Sequence, residues 1–352
     1  MLPVPPAGPV VPPVSRATGG SREHHRAGGG FRNPWPGSDD AVDAVRAARW
    51  MAGRAFTARP AAAAPRVALA PADLAAPEAG VAVTWLGHAS VLLRSPTATV
   101  IVDPVFSDRV SPVAFAGPRR AVALPVDPAA LPPVSTVVVT HDHYDHLDAA
   151  SVRFLHRRDA PLFVCPLGVA VWLRSTVAAD VRVAELDWWD ALDLPGGVRA
   201  TATPTRHFSG RRLTNRDGTL WLGVHLAFDG GPAGPTVVYN VGDTAACPVF
   251  AEVARRLPAA DLALVPVGAY SPRWFMSRVH VDPAGALDVF EATGARAMVA
   301  THWGTFDLAD EPLDEPPRLL LADAARRGLA ARVTVLPVGG QVRVTAPTSP
   351  AG

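Results

Sequence analysis

The stretch VSTVVVTHDHYDHLDAAS, residues 134–151, sets three histidines and three aspartates directly behind a run of β-branched residues. Such a run is of strand length and reads as a buried strand. A solvated polar face is not expected where a buried strand stops, so the cluster demands a chemical reason. In an extended segment alternate side chains point the same way, which lets His141 and His143 face one cation together. The chain then turns and offers Asp145 and His146 to a second position. Neutral imidazoles and a carboxylate are ligand types that suit zinc and similar divalent ions. One such run fills only part of two coordination shells.

Three later residues follow apolar runs and are the natural completion: His207 in TPTRHFSG, Asp243 in YNVGDTA and His302 in VATHWGTF. Strand ends are rigidly held yet open onto loops, which is where sites are usually built. Each of these histidines taken alone reads more readily as an ordinary surface or core residue; the 141–146 cluster draws them together. The expected partition is His141, His143 and His207 around one ion and Asp145, His146 and His302 around another, with Asp243 bridging.

Around this cluster the chain reads as short strands and helices. VAVTWLGH, SVLLRS and TATVIVDP precede it, and the strands TVVYNVGD, LALVPVG, AMVATHWG and RVTVLPVGG separate helical patterns after it. Those helices are DAASVRFLHRR, CPLGVAVWLRSTV, VFAEVARRL, DPAGALDVFEATG and PPRLLLADAARRG. Asp282 and Pro283 are placed as cap and first turn of one, and Gly294 and Gly328 fall where helices stop. Strands first and alternating units later predict an α/β protein, with sheet layers flanked by helices. The catalytic domain is expected over 81–352. Residues 31–80 would supply a helix, capped at Ser38 or Asp39, and a Pro/Ala-rich connector. Residues 1–30, rich in Pro and Gly, read as a disordered tail with His24 and His25 as a solvated pair.

Composition removes several classes. Apolar residues make up 49% of the 352, so the chain can bury a core. Thirty-three basic residues against 32 acidic ones create no field that would draw nucleic acid, and no basic stripe with interleaved aromatics appears. The short clusters GPRRA and SGRRLTNR read as solvated loops or a local phosphate clamp. Two cysteines, Cys165 and Cys247, provide neither a disulfide framework nor a CxxC site. Without a signal peptide or an apolar run of membrane length, a cytoplasmic protein is expected.

With these residues in hand, the sequence resembles the metallo-β-lactamase superfamily, whose HxHxDH motif matches 141–146. It is most similar to the branch of N-acylphosphatidylethanolamine-hydrolysing phospholipase D-like proteins. The likeness rests on FRNPWP (31–36), TWLGHAS (84–90), DPVFSDRVSP (103–112), THDHYDHLD (140–148), ELDWWD (185–190), GAYSPRWFMSRVHVDP (268–283) and HWGTFDLADEPLDEPP (302–317). It does not extend before residue 31 or over 58–80. The resemblance implies an αββα sandwich and a dinuclear centre, zinc by preference, held by His141, His143, Asp145, His146, His207, Asp243 and His302. It further implies catalytic roles for Asp145, Asp243 and His280, a substrate surface of Tyr144, Trp274, Phe275, Met276 and His280, and His88 and Asp103 as residues that orient ligands.

The reaction it implies is hydrolysis of a phosphodiester in N-acylphosphatidylethanolamine-like phospholipids, through a hydroxide held between two ions about 3.5–4 Å apart. The substrate partner would be a phospholipid or a small molecule. Peripheral contact with the inner face of a membrane and a homodimer are both compatible with this reading. Two alternatives stand beside it: a metal-dependent lactonase or esterase acting on a small soluble, sugar-phosphate-like substrate, and a metal-holding sensor without turnover.

Overall fold

The structure is a computed structural model that describes residues 11–12, 14–16, 22–36, 43–56, 63–113, 115–211, 214–231 and 234–346. One sheet is built from β1 (Val81–Gly87), β2 (Ser90–Arg94), β3 (Thr99–Val102), β4 (Thr136–Val138), β5 (Leu162–Pro166) and β6 (Val183–Leu186). The other contains β7 (Ala191–Leu194), β8 (Val198–Thr203), β9 (Gly223–Phe228), β10 (Thr236–Asn240), β11 (Leu262–Pro266), β12 (Ala297–Thr301) and β13 (Val333–Thr334). The last strand, β14 (Gln341–Val344), returns to pair with β1, giving the orders β14-β1-β2-β3-β4-β5-β6 and β13-β12-β11-β10-β9-β8-β7.

Strand side chains sort by parity, as the pleat requires. Val91, Leu93, Val100 and Val102 join the core between the sheets, while Leu92 and Ile101 point the other way. There they meet α2 (Ala149–Asp159) and α3 (Val169–Thr176) through Val152, Leu155 and Leu173. The second sheet is covered by α4 (Val249–Arg256), α6 (Pro283–Thr293) and α7 (Glu315–Arg326), which contribute Val253, Phe290 and Leu320 to the core. The result is the αββα sandwich. At α6, Asp282 accepts from the Gly285 amide, Pro283 opens the first turn and Gly294 closes the helix at φ 66°. Gly328 follows α7 at φ 72°. The N-terminal helix is α1 (Ala44–Phe56). Its expected caps, Ser38 and Asp39, lie outside the described residues.

Direction along the sheets decides where a site can form. In the first sheet β1, β3 and β4 run parallel to one another, because β2 is antiparallel to both of its neighbours. In the second, β8, β10, β11 and β12 share a direction, with β9 reversed between β8 and β10. Sheets of this kind place ligands outside the carboxyl ends of their strands. At those ends stand His88 after β1, Asp103 after β3, His141 after β4, His207 after β8, Asp243 after β10 and His302 after β12.

The disordered tail expected over 1–30 fails for residues 22–30, and the solvated His24–His25 pair fails with it. His24 Nε2 lies 2.7 Å from Asp187 Oδ1 and His25 Nε2 lies 2.8 Å from Asp187 Oδ2. His24 is buried, with its ring stacked 4.2 Å from that of Trp188. Burial alone would raise the Asp187 carboxyl, but the two imidazoles outweigh it and hold it down at about 2. Composition misled because the partners of this segment lie some 160 positions further on. The segment then leads Phe31 into the core and Asn33 to the site, where its Nδ2 donates to the His207 carbonyl at 2.8 Å.

Among the described residues, no helix is long and apolar enough to cross a membrane. Replacing His24 by alanine should cost about 1–3 kcal/mol of folding stability, the usual cost of removing a buried hydrogen-bond partner. It should also speed tryptic cleavage after Arg26 and Arg32. Calorimetry and timed proteolysis read both effects, and unchanged cleavage would mean that Asp187 does not fasten this segment.

Candidate metal centre

Three residues at the site adopt backbone conformations that are costly without glycine: His88 at φ 52°, Asp103 at φ 44° and His302 at φ 61°. Such geometry persists where surrounding bonds over-determine it, and it clusters at functional sites. Here the His88 amide donates to Thr305 Oγ1 at 2.8 Å, the Asp103 amide to the Val138 carbonyl at 2.9 Å, and the His302 amide to the His88 carbonyl at 2.9 Å. The last bond joins the two sheets. Each sharp turn stops a strand and throws its side chain into the space between the strand ends.

The 140–147 segment is fixed by bonds that run in one direction. Asp103 accepts from the Thr140 amide at 2.7 Å, from Thr140 Oγ1 at 2.6 Å and from His146 Nδ1–H at 2.7 Å. With its proton given to Asp103, Thr140 Oγ1 accepts from His141 Nδ1, 3.1 Å away. His141 and His146 therefore turn their Nε2 atoms inward. His207 is set in the same way, its Nδ1–H donating to the Val279 carbonyl at 2.9 Å. Below the loop, Arg211 donates to the carbonyls of Asp142 and Leu147 and lies over the rings of Tyr144 and Trp172. Asp148 closes the segment by capping α2.

Two groups of ligand atoms result. His141 Nε2 is 2.8 Å from His143 Nδ1, which is 3.3 Å from His207 Nε2. In the other group Asp145 Oδ2 lies 2.9 Å from His88 Nε2, 3.5 Å from His302 Nε2 and 3.6 Å from His146 Nε2. Between them stands Asp243, whose Oδ2 is 3.1 Å from His146 Nε2, 3.2 Å from His302 Nε2 and 3.7 Å from His207 Nε2. The seven residues expected from the sequence lie together here, with His88 and His280 among them.

The donor set fits divalent cations on an observation independent of motif. His146 Nε2, His302 Nε2 and His280 Nδ1 converge on Asp243 Oδ2 at 3.1, 3.2 and 4.0 Å, and His280 Nδ1 is buried there without a hydrogen-bond partner. Buried polar atoms are rarely left so. The local charges agree. Burial pushes His141 well below its ordinary value, His143 to about 4 and His207 to about 3, so these rings are neutral and offer lone pairs. Burial would raise Asp145 and Asp243, but the imidazoles, His146 foremost, prevail and hold both carboxyls well below the usual range.

His88 and Asp103 sit behind the ligand atoms and orient them, His88 against Asp145 and Asp103 against His146. In front of the groups opens a cavity of about 340 Å³. His143, Asp145, His207, Asp243 and His280 form its floor; Tyr144, Phe208, Phe275, Met276, Val279, Val110 and Leu308 supply apolar walls, with Arg216 and Arg278 beside them. Trp274 departs from expectation. Its ring lies under the Arg46 guanidinium at 4.0 Å and does not line the cavity, because consecutive residues of the short helix α5 (Arg273–Met276) point in different directions.

Two residues of the Arg clusters also need correction. Arg120 donates to the Val105 and Ser107 carbonyls, and Arg211 braces the motif, so neither is a solvated loop residue or a phosphate clamp. Phe208, Asn33 and Arg211 were missed as site residues, although each lies inside a quoted motif. Val110 and Leu308 also lie inside quoted motifs, but their residue type gave no sign of their place in the wall.

The family model described as Beta-lactamase superfamily domain matches residues 98–303. An N-acyl-phosphatidylethanolamine-hydrolyzing phospholipase D of Caenorhabditis elegans is 35% identical over 256 residues, 69% of this chain and 70% of that protein. The chain belongs to the metallo-β-lactamase superfamily, in the branch of these phospholipase D-like proteins. An uncharacterized protein of Mycobacterium tuberculosis is 40% identical over 292 residues, 80% of this chain and 74% of the relative. Among solved structures, an isothiocyanate hydrolase from Delia radicum gut bacteria superposes with a TM-score of 0.59 at 18% identity, covering 74% of this chain and 98% of that one, a likeness of fold alone. The protein is thus a metal-dependent hydrolase of this superfamily.

Two outcomes test the site. Asp103→Asn removes the acceptor that fixes the His146 tautomer and should weaken metal affinity about 10–100-fold, as such supporting changes do; competition against a chromogenic chelator measures it. Burial lowers His302, but Asp243 and Asp145 overcome it and raise the ring to about 9. A cation must displace that proton, and the one that Asp243, Asp145 and Asp103 hold on His146, so affinity should climb with pH through about 9, by roughly tenfold per unit or more. Titration calorimetry in buffers of different ionisation heat counts the protons, and a count of zero would contradict the protonated His302.

Proposed function

We propose that this hydrolase is a phosphodiesterase of phospholipase D type acting on N-acylphosphatidylethanolamine-like phospholipids. One observation carries the reading: the cavity over the ligand atoms joins a polar, carboxylate- and imidazole-lined floor to an apolar wall of Val110, Phe208, Phe275, Met276, Val279 and Leu308, with Arg216 and Arg278 at its side. An anionic phosphodiester with an acyl tail matches that division, whereas a small polar ester would leave the wall without a partner. The worm phospholipase D relative supports the same substrate class.

Two divalent cations, zinc by preference for this donor set, would be held by His141, His143 and His207 and by Asp145, His146 and His302, with Asp243 between; they supply Lewis acidity and activated water. The protein's own part is positional. Asp103, Thr140 and the Val279 carbonyl fix tautomers so that lone pairs face inward. His280, its Nδ1 4.0 Å from Asp243 Oδ2, lines the cavity and is held neutral by burial, at about 3. It serves as a hydrogen-bond donor to a phosphoryl oxygen or to the leaving oxygen. The walls exclude water from the tail and hold the diester against the floor.

Metal-loaded protein should release phosphatidate from N-acylphosphatidylethanolamine and cleave bis(4-nitrophenyl) phosphate. Asp243→Ala should lower kcat/KM for both at least about a thousandfold, the loss of several kcal/mol of charge stabilisation. Phe275→Ala should raise KM for the lipid about tenfold, by lost apolar contact, and leave the soluble diester unaffected. Turnover of lactones without turnover of either diester would replace this reading with the lactonase one.

A further inference from the structure

We infer that the cavity walled by Trp35, Trp188 and Trp189 is a second binding site, one that takes a small methylated ammonium ion. It shares no lining residue with the catalytic cavity. Neither the metals nor the phosphodiesterase reading enters the argument.

The cavity holds about 160 Å³. A tight turn builds one side of it: the Asp190 amide donates to the Asp187 carbonyl at 3.1 Å, and the Asp187 amide to Asp190 Oδ2 at 2.9 Å. The turn sends two consecutive indoles different ways. Trp188 is buried, its Nε1–H donates to the Trp221 carbonyl at 2.7 Å, and its ring stacks 4.2 Å from His24 and 5.6 Å from Trp35. Trp189 is half-buried and sits at φ 73°, a left-handed conformation that a bulky residue rarely adopts. Its amide, donating to the Ala202 carbonyl at 2.8 Å, fixes it there. Strain of this kind collects at functional sites, and here it holds an incompletely buried indole at the cavity wall.

Charge selects the guest. The carboxylates of Glu23 and Glu252 line the same cavity, against the single guanidinium of Arg256, so the lining is negative on balance. Indole faces and carboxylates together favour a cation that sheds its water readily. The chain already makes such a contact at this place: the Arg256 guanidinium lies 4.4 Å from the centre of the Trp189 ring, with Nη2 2.7 Å from Glu252 Oε1. A divalent metal ion keeps its water and gains little from indoles, whereas methyl groups spread the charge of an ammonium and fit aromatic faces. A trimethylammonium group also suits the volume. Trp35 and Glu23 come from the N-terminal segment, Trp189 and Glu252 from the body of the fold. A guest therefore fastens the segment whose Asn33 holds the His207 carbonyl at 2.8 Å.

The test uses the full-length, metal-loaded protein, with choline as the probe and dimethylbutanol, its neutral carbon isostere, as the control. Titration calorimetry should show one choline bound per chain with a Kd of about 1 mM, and binding of the alcohol at least about tenfold weaker. Trp189→Ala should weaken choline about tenfold and Glu23→Gln about threefold, whereas Arg256→Ala, which removes the competing cation, should tighten it about threefold. Glu23 and Arg256 are exposed, so these two variants answer the question independently of any effect of Trp189→Ala on the turn. All three should cleave bis(4-nitrophenyl) phosphate as the parent does. Choline at ten times its Kd should slow tryptic cleavage after Arg26 and Arg32 about tenfold, because it binds only the fastened segment. Equal binding of the neutral alcohol, unchanged affinity in the Glu23 and Arg256 variants, or competition between choline and the diester would each overturn the inference. So would tighter binding of phosphocholine than of choline, since Glu23 and Glu252 should repel its phosphate and the site would then belong to an anionic headgroup.

Discussion

Two carboxylates buried among imidazoles are the constraint on which the rest of the structure depends. Asp145 and Asp243 are held ionised, and their near neighbours are the rings of His88, His146, His207, His280 and His302. Withdrawing two anions from water is expensive unless positive charge compensates them. Part of that compensation comes from protons on His146 and His302, whose affinity for them the carboxylates raise. Such protons are replaceable by cations, and neighbouring His141, His143 and His207 are neutral and ready to share the load. The architecture stores unfavourable electrostatics in a form that divalent ions relieve.

That arrangement is possible only because each supporting group is fixed from behind. Asp103 takes three hydrogen bonds and thereby sets both Thr140 and His146. The left-handed turns at His88, Asp103 and His302 cost stability of order 1–3 kcal/mol each. They are held by the sheets, and one of the holding bonds, from the His302 amide to the His88 carbonyl, spans both layers. Strain at the strand ends and rigidity beneath them belong to the same design, since a site that must keep like groups together cannot relax by moving apart.

The N-terminal segment shows how far from the site its supports can begin. His24 and His25 clasp Asp187, Phe31 enters the core and Asn33 grips the carbonyl of His207. FRNPWP is therefore a structural part of the site, although in sequence it stands more than 100 residues before the first candidate metal-ligand histidine. A composition of Pro and Gly argues for disorder only while the segment has nothing to bind, and here a carboxylate and an indole supply that partner.

By itself the sequence determined the fold family, the type of chemistry and which strand ends bring histidines and aspartates together. Alternating side chains in HDHYDH, β-branched runs before each ligand and cap residues around α6 are local facts, and local geometry follows from them. Which wall faced the floor was decided only by tertiary structure. Trp274 turned to Arg46 while Phe275 and Met276 turned to the cavity; Val110 and Leu308 arrived from separate loops; Arg120 and Arg211 spent their charge on backbone carbonyls. The physical reason is one of range: a metal ligand announces itself by type and spacing, whereas an apolar or cationic side chain takes its role from whatever the packed sheets bring opposite it.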